Sequence, residues 1–192
     1  MIRNETISSI LARRSFKGFK SDAIPEEVLE TIIEAGKYAP TGMNRQPWHF
    51  TVVTSEEGRT LFKSEIEAIM AEAAKNGPGG PPPAQPAGIV VKPESEMRGA
   101  PVLIIVSTDK NVPTAFSDGV LAMGNMMNAA ASFDVMSGWT HMVVRSLANT
   151  PDKKALWGIP EEYEICAAAF FGYGDGQPKD RGPRKEGTVT FK

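Results

Sequence analysis

The chain has 192 residues, 41% of them hydrophobic, and a formal net charge of −2. That length suits one domain over 1–192, and the charge argues against a nucleic-acid partner, which normally meets a basic excess. One cysteine (Cys166) and two histidines (His49 and His141) argue against a disulfide framework or a metal site. No leader pattern and no run of about 18 apolar residues is visible, so a cytoplasmic protein without a membrane partner is expected.

Asn4 to Arg14 reads as a short helix with Ile7, Ile10 and Leu11 on one face, followed by a polar loop to Ala23. Pro25 to Tyr38 is the clearest helix, with Pro25 suited to the first helical position and Glu26 and Glu27 to its positive end. Val28, Leu29, Ile32, Ile33 and Ala35 form its apolar stripe. Ala39–Trp48 is a loop holding two prolines, a glycine, the amides of Asn44 and Gln46, and the Thr41 hydroxyl. Such a loop offers neutral donors and acceptors, which suit a flat ligand with carbonyl and ring-nitrogen edges. It also fits an ordinary turn, because Gly, Pro and Asn dominate turns for backbone reasons.

Trp48–Thr54 reads as a strand, and Ser55 as the cap of a helix running to Lys75 with Leu61, Phe62, Ile66, Ile69 and Met70 inward. Residues 76–99 are a variable excursion whose first part, Asn76–Gly88, alternates Pro and Gly and can be neither helix nor inner strand. A surface excursion that lines or covers a site is expected there. Pro101–Ser107 is apolar throughout, as in a central strand. Pro113–Phe133 reads as a long helix offering Phe116, Val120, Leu121, Met123 and Met127 for burial, thinned by Gly119 and Gly124 for close helix contact. Ser137-Gly138-Trp139 reads as a turn-like stretch. Val143–Asn149 and Pro151–Trp157 read as short helices, Glu164–Phe171 as a buried strand and Thr188–Phe191 as a β-like tail in need of a pairing partner. Interspersed strands and helices indicate a sheet, possibly mixed in direction, with helices on both faces.

Two clusters suit a phosphate: Arg13-Arg14-Ser15-Phe16-Lys17 near the start, and Arg181 to Lys185, with Arg184, near the end. Either can instead be a solvated basic surface, and cations also favour helix C-termini. Gly172-Tyr173-Gly174-Asp175-Gly176 is half of a dinucleotide fingerprint, but Pro178 and Gly182 follow where a helix is required. Cys166 lies in an apolar strand and His49 beside Trp48, both as structural residues. His141 is a possible pocket residue, and Asp118 and Asp134 are isolated acids without a spacing partner. No catalytic side chain is singled out, as expected when a cofactor performs the hard step.

These segments together resemble the nitroreductase family of FMN-dependent oxidoreductases. The matching pieces are Arg13–Phe19, Ile32–Phe50, Ala100–Val106, and Phe171–Asp175 followed by Pro183-Arg184-Lys185. The resemblance implies an α+β nitroreductase-like fold with a central mixed β-sheet flanked by helices on both faces. It also implies a homodimer with FMN at the subunit interface, to which the C-terminal strand would reach across. Arg13, Arg14, Ser15 and Lys17 would hold phosphate, ribityl and pyrimidine edge, with Arg184 and Lys185 closing on the phosphate. Pro40, Thr41, Gly42, Asn44 and Gln46 would reach the flavin of the other subunit, and Ser137, Gly138 and Trp139 would pass beside its reactive ring nitrogen. NADH or NADPH as co-substrate would reduce nitroaromatics, quinones or related small-molecule oxidants through FMN in a ping-pong scheme. The alternatives are an FMN-binding protein without turnover, serving storage or sensing, and a dehalogenase or dehydrogenase on the same scaffold. Position 17 carries Lys where many relatives have Arg, and Ser137-Gly138-Trp139-Thr140 departs from the commoner Gly-Ser-Cys-Trp.

Overall fold

The computed structural model describes residues 2–75, 95–140, 145–148, 150–178 and 182–192. The strands are β1 (Trp48–Val53), β2 (Val102–Asp109), β3 (Met136–Trp139) and β4 (Tyr163–Gly172). The helices are α1 (Glu5–Ala12), α2 (Glu26–Lys37), α3 (Glu56–Lys75), α4 (Ala115–Ser132) and α5 (Pro151–Leu156). The strands form one sheet in the order β1-β2-β4-β3. All three pairings are antiparallel, so the mixed sheet expected from the sequence is not found among these strands. A parallel step occurs only in the isolated Ser15–Ser137 bridge among the described residues.

β2 is buried along nearly its whole length because both faces of the sheet are covered. Leu103 and Ile105 join Phe62 and Ile66 of α3 and Phe170 of β4 on one face. Val102, Ile104 and Val106 join Ile32 of α2, Met123 and Met126 of α4 and Phe171 on the other. The alternation follows from the two-residue period of a strand.

Several local expectations give way to tertiary packing. Pro25 is the N-cap of α2 and not its first helical residue. Ser137-Gly138-Trp139 belongs to β3, because pairing with β4 overrides the turn character of Ser and Gly. Gly119 serves close packing of α4 on the sheet, where a Cβ would stand 2.4 Å from Cys166 Sγ, whereas Gly124 faces open space. Phe116 and Leu121 are exposed rather than buried, at 61% and 47%. Residues 188–191 form no strand within this chain and are exposed. Residues 76–94 of the excursion and His141 lie outside the described residues.

Candidate functional site

The Arg13–Lys17 segment leaves the end of α1 and is stitched across the sheet edge. Phe16 and Phe19 are buried and sit 6.1 Å apart, ring to ring. In an extended segment this anchoring turns Ser15 and Lys17 outward, and both are exposed. Phe16 donates its N–H to the Ser137 carbonyl at 2.9 Å. Lys20 donates to the Tyr173 carbonyl at 2.9 Å and Asp175 to the Gly18 carbonyl at 3.0 Å. The basic turn therefore lies against β3 on one side and the segment after β4 on the other.

Between turn and segment is a cavity of about 210 Å³ lined by Ser15, Phe16, Lys17, Gly18, Asp175, Gln177 and Pro178. Next to it, Gly138 has no room for a side chain, since a Cβ there would stand 2.4 Å from the Phe16 carbonyl oxygen. The Ser137 hydroxyl is buried without a hydrogen-bond partner among the described residues, a polar group that a bound molecule or water could satisfy. The Ser15 hydroxyl and the Lys17 ammonium on this concave edge are donors of the kind an anionic group such as phosphate requires, with the Asp175 carboxylate in the same lining. Arg14 is already engaged: its Nη1 donates to the carbonyls of Leu11, Ala12 and Arg13 at 3.0, 3.0 and 3.2 Å, closing the end of α1. The helix-end reading thus describes that part of Arg14, while Ser15 and Lys17 face the cavity.

The Pro40–Gln46 loop is held elsewhere. Gly42 donates its N–H to Asp118 Oδ2 at 3.3 Å, and Gln46 its N–H to Thr41 Oγ1 at 3.3 Å. Gln46 Nε2 donates to Asn44 Oδ1 at 3.2 Å, so the two amides form an exposed pair. Pro40 is exposed beside them. Trp48 pairs with Thr108, and Thr108 with Glu164, whereas Ser137 pairs with Phe171. The loop and the basic turn consequently sit at opposite edges and opposite ends of the sheet, on the order of 25 Å apart from strand spacings alone. One chain does not bring them together.

Trp139, at the end of the edge strand β3, is 41% exposed. Arg184 and Lys185 are exposed in a segment without regular structure. Cys166 is buried, its thiol donating to the Val106 carbonyl at 3.4 Å, and burial pushes its pKa up to about 11. His49 packs edge-on against Tyr163 at 6.4 Å. Both match their reading as structural residues. Asp118, read as an acid without a spacing partner, accepts from Thr114 Oγ1 four residues before it and from the Gly42 N–H, a contact distant in sequence that no local pattern signals. Asp175 and Gln177 also line the cavity; both lie after β4 in an irregular stretch, where no periodicity marks which side chains face a site.

Residues 10–173 match the family model described as Nitroreductase family. A Methanothermobacter thermautotrophicus protein, provisionally named an NADH dehydrogenase/NAD(P)H nitroreductase, is 28% identical over 92% of this chain and 81% of its own length. The iodotyrosine deiodinase of Thermotoga neapolitana is 25% identical over 93% of each chain. Among solved structures, the FMN-bound nitroreductase of Bacteroides fragilis superposes with a TM-score of 0.81 at 28% identity, covering 98% of this chain and 99% of that one.

Proposed function

The chain belongs to the nitroreductase family, and from that premise we propose that it is an FMN-dependent oxidoreductase working as a homodimer. FMN, when bound, would carry reducing equivalents from NADH or NADPH to a small-molecule oxidant such as a nitroaromatic or quinone. The observation that carries the reading is the basic turn itself: Ser15 and Lys17 line a cavity beside a Gly138 that admits no side chain. Ser15, Lys17 and Arg13 would bind the phosphate and orient the ribityl chain, and Arg184 and Lys185 would close on the phosphate. Arg14 would hold the turn in place through its helix-end contacts. Ser137, Gly138 and Trp139 would set the ring edge. The antiparallel alternation, read from the 2.9 Å bond of Thr140 N–H to the Ala168 carbonyl, turns the backbone groups of Trp139 away from β4 toward that edge.

The homodimer is supported by the placement of the two halves of the site along α4. The amide loop is tied to the first turn of this 18-residue helix, and β3 follows its last turn. A helix of that length spans about 27 Å. Pairing α4 antiparallel with its copy about a two-fold axis would carry the loop of each chain to the basic turn of the other. The exposed Leu121, and Gly124 one turn on with open space where a Cβ would be, suit such an approach. In that arrangement Pro40, Thr41, Gly42, Asn44 and Gln46 would face the partner's cofactor, and the C-terminal tail around 188–191 would find its pairing strand on the partner. Among the described residues no helix is long and apolar enough to cross a membrane.

The test is a visible spectrum. The purified protein should be yellow or become so with FMN, and anaerobic NADH or NADPH should bleach it. A colourless protein that takes up no FMN would overturn the reading. The similarity to the Thermotoga neapolitana iodotyrosine deiodinase favours a second outcome, in which the flavin bleaches but the productive oxidant is a halogenated aromatic. Product identification separates it from nitro or quinone reduction.

A further inference from the structure

We propose that Asp118 is a positioning residue for the Thr41–Gln46 loop, and through that loop for the cofactor edge it addresses; this rests on the flavin reading above. Asp118 is 4% exposed in the first turn of α4. Its Oδ2 accepts from Gly42 N–H at 3.3 Å and from Thr114 Oγ1 at 2.8 Å, and its own N–H donates to the Thr114 carbonyl at 3.0 Å. A buried carboxylate satisfied in this way fixes the loop at one backbone atom.

The loop needs fixing. Met43, Asn44 and Gln46 have φ of +56°, +54° and +48°, left-handed conformations that side-chain-bearing residues adopt rarely and hold only where their surroundings enforce them. The room is equally constrained, since a Cβ on Gly42 would lie 2.7 Å from Thr114 Oγ1. Asn44 and Gln46 owe their pairing to this backbone: the Asn44 carbonyl is taken by Gln46, which leaves the Asn44 N–H groups and the Gln46 carbonyl to offer outward. Without the Asp118 anchor the loop relaxes, and the amide pair no longer stands at a defined point. The anchor belongs to the same helix whose outer face is proposed to meet the partner, so amide position and subunit contact are set by one element.

The experiment uses the full chain and three proteins: wild type, Asp118→Ala and Asp118→Asn. Asn retains a carbonyl that can accept from both Gly42 and Thr114, so it serves as the rescue. Amide exchange is measured over residues 41–46, with β2 as the internal control, together with FMN affinity and the position of the flavin absorbance bands. The expected result is faster exchange confined to 41–46, FMN affinity lowered roughly tenfold and shifted flavin bands in Asp118→Ala, all largely restored in Asp118→Asn. A merely structural role would lower the melting temperature without moving the bands. Unchanged FMN affinity and bands in Asp118→Ala, or an Asp118→Asn protein as impaired as Asp118→Ala, would overturn the proposal. Failure of the flavin reading is recognised separately, because then the wild type itself shows no flavin band. Should Asp118→Ala not fold, Thr114→Val removes one donor to the same carboxylate, and the same changes are expected at smaller size; their absence counts against the proposal.

Discussion

The Phe16 backbone brackets Gly138: its N–H donates to the Ser137 carbonyl at 2.9 Å, and its own carbonyl oxygen stands 2.4 Å from where a Cβ on residue 138 would be. This approach holds the basic turn on the sheet edge. Gly138→Ala is therefore expected to push the turn off β3. The predicted cost is about 1–3 kcal/mol of stability, in the range of other overpacked sites, with a parallel loss of FMN affinity. Thermal unfolding and flavin titration check both.

Removing one of the cations proposed to hold the phosphate should weaken FMN without unfolding the chain. Arg13→Ala and Arg184→Ala are each expected to cost about 1.5–3 kcal/mol of FMN binding, the range for a hydrogen bond to a charged group. Fluorescence titration measures it. Equal affinity in both variants and the wild type would remove the shared-phosphate arrangement.

The proposed dimer can be tested at Leu121, exposed on α4. Leu121→Glu places a charge on a residue that is 47% exposed in the single chain, so the monomer is expected to fold with a stability change within about 0.5 kcal/mol. In a two-fold interface the two copies would bury like charges. Sedimentation should then show monomers, and FMN loading should fall with them. A Leu121→Glu protein that stays dimeric and fully loaded would place the subunit contact elsewhere.

Cys166 gives a pH prediction. Its thiol is pushed up from the usual 9.0 to about 11 by burial, so the folded state resists ionisation that the unfolded chain undergoes. Between those values the unfolded chain holds fewer protons, and stability falls as pH rises; below about 9 this contribution is fully present. The loss amounts to about 2–3 kcal/mol by pH 11. It should disappear in Cys166→Ala when denaturant melts are compared at pH 8 and 10.5. Native Cys166 should likewise resist alkylation at pH 8.

Much of this protein was legible in its sequence. Helical periodicity, caps and apolar runs marked α2, α3, β1, β2 and β4, because their signals are local. Residue chemistry showed that the basic turn and the amide loop carry donors and acceptors, since Arg, Lys, Ser, Asn and Gln bring them wherever they sit, but it left each open between a ligand contact and an ordinary turn or solvated surface. The resemblance carried by Ile32–Phe50 and its companions pointed to the family that the comparison bears out.

What only the tertiary structure decided is where those groups stand and what holds them. Ser137-Gly138-Trp139 became a strand because β4 offered its edge, a pairing made across some thirty residues of chain that no local propensity encodes. Asp118 found its partner at Gly42, and Arg14 spent part of its guanidinium on its own helix end. The amide loop and the basic turn, each readable alone, were placed at opposite ends of α4. Residue types are written in the sequence, but separations between them are set by strand pairing and helix length, which is why the distance between the amide loop and the basic turn emerges only once the fold is built.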